Sequence, residues 1–160
     1  MTFNRKLATM TLAAAFLTAG SVSAASAATT AAVPGDVYTA SGYASLDGTN
    51  YKVVASLTLP AGKYLINGVG NSLNQQAASA VVSCNMYDDH NMYLTSGTAT
   101  LPAPSLIGTS SYASTPFLTT ANLAAGGRVR VECIVGNAVS GIQENLRLTA
   151  LTVGDINSVQ

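Results

Sequence analysis

Apolar and polar residues alternate with a period of two along most of this chain. Outside the N-terminal segment, no ten-residue stretch repeats its apolar residues at helical spacing. Such alternation puts successive side chains on opposite sides of a pleated strand, one side buried and the other facing water. Tyr51, Val53, Ala55, Leu57 and Leu59 alternate with Lys52, Val54, Ser56 and Thr58. Pro60, Ala61 and Gly62 then predict a turn, because proline cannot donate to a strand ladder and glycine adopts turn conformations at no steric cost. A second strand is expected over 63–69, followed by a polar loop from Asn71 to Gln76. Val82, Cys84 and Met86 share one strand face, as do Val129, Val131, Cys133 and Val135 after a turn at 124–127. The last strand is long, about Ile142 to Val153, with Leu146, Leu148 and Ala150 opposite Arg147, Thr149 and Leu151. Weaker strands fall over 38–46, 94–101 and 114–123. About eight short strands separated by turn residues predict an all-β, antiparallel, two-sheet sandwich or jelly roll. A parallel α/β sheet is disfavoured, since its crossover helices are missing from the pattern.

Residues 1–27 read as a cleavable export signal. Arg5 and Lys6 form a short cationic start, and the run from Leu7 to Gly20 is apolar apart from scattered threonines. Val22-Ser23-Ala24 and Ala25-Ser26-Ala27 both satisfy the small-x-small rule, so cleavage is expected after Ala24 or Ala27. The apolar run is shorter than the roughly 18–20 residues that span a bilayer, so no membrane anchor is expected after cleavage. The expected destination is outside the cell, or the periplasm and envelope. Residues 28–36 look like a loose N-terminal lead, and 37–156 form one β-sandwich domain, long enough to bury a sizeable core. Cys84 and Cys133 are the only cysteines, and in an oxidising compartment two cysteines most simply make one structural disulfide. No C-x-x-C spacing points to redox catalysis.

Charge excludes several partners. Charged residues are 9% of the chain, against roughly 25% in typical soluble proteins. Once residues 1–27 are removed, five basic residues stand against seven acidic ones, a net charge of −2. No basic cluster is present for phosphates, so nucleic-acid binding is not expected. Nor does a polybasic stretch offer a hold on an anionic membrane.

Groups able to do chemistry are few. His90 is the only histidine, so any Ser-His-Asp or Cys-His mechanism would rest on it alone. The nearest approach to a nucleophile turn of the G-x-S-x-G kind is Gly108-Thr109-Ser110-Ser111-Tyr112, which has tyrosine at the second glycine position. Asp88-Asp89-His90-Asn91 is the one local cluster. It reads either as a loop site for Ca²⁺ with Asp88 and Asp89 as hard oxygen ligands, or as a polar hairpin turn, where Asp and Asn are favoured for their local hydrogen bonds. The turn is preferred, because four consecutive residues cannot all point at one ion. A glycosidase needs two carboxyls about 5–9.5 Å apart in a cleft. Glu132 and Glu144 are the available pair, and both are expected on solvated strand faces. Tyr38, Tyr43, Tyr51, Tyr64, Tyr87, Tyr93 and Tyr112 could form a sugar-stacking platform, although strands favour tyrosine in any case.

Leu59-Pro60-Ala61-Gly62-Lys63-Tyr64, Val82-Ser83-Cys84, Val131-Glu132-Cys133 and the closing Leu146-Arg147-Leu148-Thr149-Ala150-Leu151-Thr152-Val153-Gly154 together resemble a group of small exported bacterial proteins. Their domains are jelly rolls of the tumour-necrosis-factor and complement-globular-head type. The resemblance implies ten strands in two sheets, a cysteine pair tying two strands, and a trimer as the homo-oligomer. It implies no receptor or ligand, since members of this architecture bind unrelated partners. The expected function is a secreted, non-enzymatic structural or binding module without catalytic residues or cofactor. The alternative is a carbohydrate- or surface-binding domain with Ca²⁺ in the Asp88–Asn91 loop.

Overall fold

The computed structural model describes residues 31–105, 109–136 and 141–154. The expected export signal, the first residues of the lead and the end of the chain from 155 lie outside them. Eight strands follow in order: β1 (Val37–Leu46), β2 (Lys52–Leu59), β3 (Gly62–Asn74), β4 (Ala80–Tyr87), β5 (Tyr93–Leu101), β6 (Ser111–Leu123), β7 (Gly127–Val135) and β8 (Ile142–Val153). Sheet A has the order β1-β8-β3-β6 and sheet B the order β2-β7-β4-β5, with every pairing antiparallel. First pairs with last, second with seventh, third with sixth and fourth with fifth, as in one long hairpin rolled up on itself. The β3–β8 and β4–β7 seams then complete the two sheets. This is a jelly roll. Among the described residues there is no helix, and eight strands are found where the resemblance implied ten.

Inward positions supply a dry core. Tyr64, Ile66, Val82, Met86, Leu101, Val129, Val131, Ile142 and Leu148 are fully buried between the sheets. Each such side chain contributes about 1.5–3 kcal/mol of burial, which makes this core the main source of stability. The Tyr64 hydroxyl reaches out of the apolar layer to donate to the Pro60 carbonyl at 2.8 Å. The described end of the N-terminal lead is tied to the roll, with the Ala32 amide on the Ala61 carbonyl and the Gly35 amide on that of Thr152.

The simple alternation fails in two places. In β2, Val53 pairs with Glu132 and Ala55 with Val131, so Val54 is an extra, bulged residue. A bulge inverts the parity of everything before it. Val54 and Ala55 are therefore both buried, while Val53 and Tyr51 are exposed, against their expected inward placement. The bulge presses onto Gly42 of β1, whose missing side chain leaves room for the Val54 carbonyl. The expected polar loop at Asn71–Gln76 is the second correction, since β3 runs on to Asn74. Its inward polar residues are satisfied within the core: Ser72 bonds Glu144, and the Asn74 amide donates to the carbonyls of Ala78 and Pro102.

Cys84 and Cys133 face each other directly across the β4–β7 ladder, with Cα atoms 4.0 Å apart, and are joined. The bridge closes a loop of 49 residues, for which the chain-entropy relation gives about 4 kcal/mol. The double variant Cys84→Ala/Cys133→Ala should lose about 2–4 kcal/mol in urea unfolding. Thiol titration of the unreduced, denatured wild type should find no free thiol, and two free thiols would refute the bridge.

Candidate functional site

Because the side-chain period is two, each strand that buries one side in the core offers the other to solvent. On sheet A the registers of four strands align their outward residues into five rows of four. The middle row is Ser41, Arg147, Val69 and Pro116; beside it run Tyr43, Asn145, Asn71 and Ser114 on one side and Thr39, Thr149, Asn67 and Leu118 on the other. Arg147 is the only charge among the twenty positions, and none is acidic. Of the large apolar side chains exposed among the described residues, Val37, Tyr43, Leu65, Val69, Tyr112 and Leu118 all lie on this face. Single exposed apolar residues are ordinary, whereas several gathered on one sheet face make it a candidate contact surface.

Three shallow depressions adjoin on this face, and Arg147 lines all of them. One of about 390 Å³ runs between Tyr43, Val69, Asn71 and Asn145; one of about 410 Å³ lies over Thr39 and Ser41; one of about 230 Å³ lies over Asn67 and Thr149. Arg147 has no ion-pair or hydrogen-bond partner among the described residues. Its guanidinium, flanked by three asparagine amides and an exposed tyrosine ring, can bind an anion and hydroxyl groups. Sequence reasoning placed Arg147 on an outward strand face but gave it no role.

The Asp88–Asn91 segment is the turn between β4 and β5. Asp88 Oδ1 accepts from the amides of His90 at 2.9 Å and Met92 at 2.8 Å, the Asp88 amide donates to the Met92 carbonyl, and Asn91 takes a left-handed φ of 61°. Asp89 pairs with His90 Nδ1 at 2.9 Å, and ligand atoms of Asp88, Asp89 and His90 lie within 4.8 Å of one another. Beside them stands the Arg130 guanidinium, over the Tyr87 ring, donating to the Asp88 carbonyl and Asn91 Oδ1. That fixed charge already uses the neutral oxygens that a cation would want from this loop.

The remaining candidates are scattered. Glu132 lies on the outer face of sheet B and pairs with Arg130 at 2.7 Å. Glu144 is fully buried on the inner face of sheet A, against its expected solvated position. Sheet B thus lies between the two carboxyls, and they flank no common cleft. Residue 144 has the same parity as Ile142, Leu146 and Leu148, so the alternation already placed it inward. Its side chain lies over Gly70, where a Cβ would collide with the carboxyl, and within 4.8 Å of the bridged sulfurs of Cys84 and Cys133. Ser72 donates to Oε2, whereas Oε1 and the nearby Thr115 Oγ1, also beside Gly70, have no partner. Burial pushes the Glu144 carboxyl above the usual carboxylate range, and the Ser72 hydrogen bond offsets part of this. The tyrosines do not make one platform. Tyr64 is in the core with Tyr38 edge-on to it, Tyr87 and Tyr93 pack together by Arg130, and Tyr43 and Tyr112 lie on the outer face of sheet A.

No protein-family model matches this sequence, and no curated protein is similar to it. Among solved structures, one chain of infectious bursal disease virus (Gx strain) is similar at 10% identity and a TM-score of 0.49, covering 78% of this chain and 35% of its own. This chain therefore spans about a third of that one. The tumour necrosis factor Eiger from S. frugiperda is similar at 12% identity and TM-score 0.45, covering 80% of this chain and 98% of its own. A cyanophage Pam1 capsid chain is similar at 19% identity and TM-score 0.41, covering 77% and 89%. At TM-scores below 0.5, none of them says what this chain binds.

Two measurements follow from this geometry. The folded Glu144 carboxyl binds its proton more tightly than the ordinary value of 4.5, so the native state holds more protons than the unfolded state above that pH. Its contribution to stability should be fully present below pH 4.5 and be lost as pH rises from there through the raised native value. Asp47, held low chiefly by Lys52 and also by Thr49, acts in the opposite sense, losing its contribution as pH falls. Urea unfolding of wild type and Glu144→Gln across pH 4–8 isolates the first effect; parallel curves would refute it. At the turn, Asp88→Ala should lower stability by about 1–2 kcal/mol by removing the carboxylate oxygen that accepts from the His90 and Met92 amides. EDTA should leave the wild-type melting temperature unchanged, and a chelator-sensitive melt would establish the cation site instead.

Proposed function

We propose that this chain is a secreted, non-enzymatic binding module that engages its partner through the outer face of sheet A. The observation that carries this reading is the convergence of six exposed apolar side chains on twenty outward positions that hold one charge, Arg147, with Lys63 beyond them at the start of β3. Sheet B looks different from outside, carrying Arg128, Arg130 and Glu132 with hydroxyl-rich neighbours. Export rests on the cationic start, apolar run and small-x-small sites of residues 1–27. The non-enzymatic reading is supported by the dispersal of Glu132, Glu144 and His90, which share no cleft in which to act. Calcium-dependent binding through Asp88 and Asp89 is the weaker alternative, because Arg130 stands in that loop.

Self-association is a second reading, favoured by the same apolar side chains, since a face poor in charge is cheap to desolvate. Light scattering after gel filtration separates the cases. The double variant Val69→Asp/Leu118→Asp changes only outward positions, so it should keep the wild-type melting temperature. If the wild type is an oligomer, the variant should run as a monomer. If the wild type is a monomer, the variant should lose retention on immobilised polysaccharides that hold the wild type, while Ser83→Asp/Thr98→Asp on sheet B should not. A double variant with unchanged mass and unchanged retention would refute this face as the contact surface.

A further inference from the structure

We propose that the depressions around Arg147 bind a carboxylated saccharide, with the guanidinium on the carboxylate and the surrounding amides on ring hydroxyls. This rests on the reading of sheet A as the binding face and adds the chemistry of its ligand.

Charge gives the first argument. The acids of the described residues are segregated from this face: Asp47 pairs with Lys52 beyond β1, Asp88, Asp89 and Glu132 gather by Arg130, and Glu144 is inside. Asp36, at the corner, turns its carboxylate to the Val33 amide and the Tyr38 hydroxyl. Arg147 is thus an exposed cation in acid-free surroundings. Burying it against a second copy in a symmetric contact would bring two arginines to one face with no acid to meet either. A partner bringing one negative charge removes that cost, and a planar carboxylate fits the guanidinium fork with two parallel hydrogen bonds.

The neighbours give the second. Asn67 and Asn145 each offer a donor and an acceptor, which matches hydroxyl groups that both give and take, and Asn71, whose Oδ1 already accepts from Ser114 at 2.9 Å, adds its amide donors. Tyr43 and Val69 supply apolar surface for the C–H side of a sugar ring. These groups are spaced by the sheet itself, about 4.8 Å apart across strands and about 6.8 Å along each strand. The depressions of about 390 and 410 Å³ lie in the size range of ligand sites, yet they are shallow and adjoining, as suits a chain laid along the surface.

The backbone gives the third. Arg147 and Val69 belong to β8 and β3, the two central strands, whose main-chain groups are committed to ladders on both sides. An extended peptide cannot add a strand there, so recognition depends on side chains alone.

The test is calorimetric titration of the folded chain with oligogalacturonate, its methyl ester and poly-glutamate. The acid form should bind, and affinity should fall with added salt because the ion pair is exposed. Methyl esterification and Arg147→Gln should each weaken binding about tenfold or more, and together no further than either alone. Arg147→Lys should recover only part of the loss, since it keeps the charge without the fork. Arg128→Gln on sheet B should leave binding unchanged. Should oligogalacturonate, alginate and hyaluronate all fail to bind, the proposal is overturned; equal binding of the ester, equal loss with Arg128→Gln, or equal binding of poly-glutamate would overturn it too. The face itself would survive that failure if Val69→Asp/Leu118→Asp still altered solution mass or retention on another polymer.

Discussion

Strand β8 bears a double load, because it pairs with β1 on one side and β3 on the other. Its even-numbered residues bury Ile142, Leu146, Leu148 and Ala150 in the core, while its odd-numbered residues carry Asn145, Arg147 and Thr149 to the outer face. The β1–β8 ladder joins residues about a hundred positions apart, and β3–β8 about eighty. Such long closures cost entropy before they return burial, whereas the β4–β5 hairpin and the β3–β6 and β4–β7 ladders are nearer in sequence. The position of Arg147 on a rigid, doubly paired strand is a consequence of that closure. A binding group placed there inherits the precision of the sheet.

The core has a polar layer at the level of the disulfide. Glu144, Ser72 and Thr115 meet above Gly70, and Gly97 on the facing sheet leaves space for Thr115 and Phe117. A Cβ at Gly70 would collide with the Glu144 carboxyl and one at Gly97 with the Thr115 methyl, so glycine at both positions makes room for these side chains between the packed sheets. A buried carboxyl in so apolar a setting stays protonated more readily than it would in water, and only Ser72 donates to it. With Asn74 and Thr152, Glu144, Ser72 and Thr115 are the buried polar side chains among the described residues. The nearby covalent tie between β4 and β7 restrains the strands that pack over this layer.

On the outside, charge is sorted between the two sheets. Sheet B and the β4–β5 turn hold the paired arginines and acids, with Arg130 serving Glu132, the Asp88 carbonyl and Asn91 together. Those charges satisfy one another and brace a turn. Sheet A keeps one cation unsatisfied among amides, hydroxyls and exposed apolar groups. A face so poor in charge is cheap to cover, and the Arg147 guanidinium stands in its middle row.

Local chemistry was enough to declare eight strands, the turns at Pro60–Gly62 and Ala124–Gly127, and the pairing of Cys84 with Cys133, because period and turn residues act over a few positions. Glu144 was expected on a solvated face although it shares the parity of Ile142, Leu146 and Leu148, because the space over Gly70 and the Ser72 hydroxyl that admit a carboxyl come from β3. Two other features escaped the local pattern for physical reasons. The Val54 bulge depends on how β2 fits against β7, and the extension of β3 to Asn74 depends on partners for Ser72 and Asn74 supplied by distant strands. The grouping of outward residues on sheet A escaped it altogether. Tyr43, Asn71 and Asn145 belong to one row only because β1, β8 and β3 lie side by side, and the order of strands in a sheet is set by long-range burial, which no local pattern records. Apart from the start of β2 before its bulge, the order of apolar and polar residues settles which side of each strand faces water, whereas long-range strand order settles which of those sides lie together.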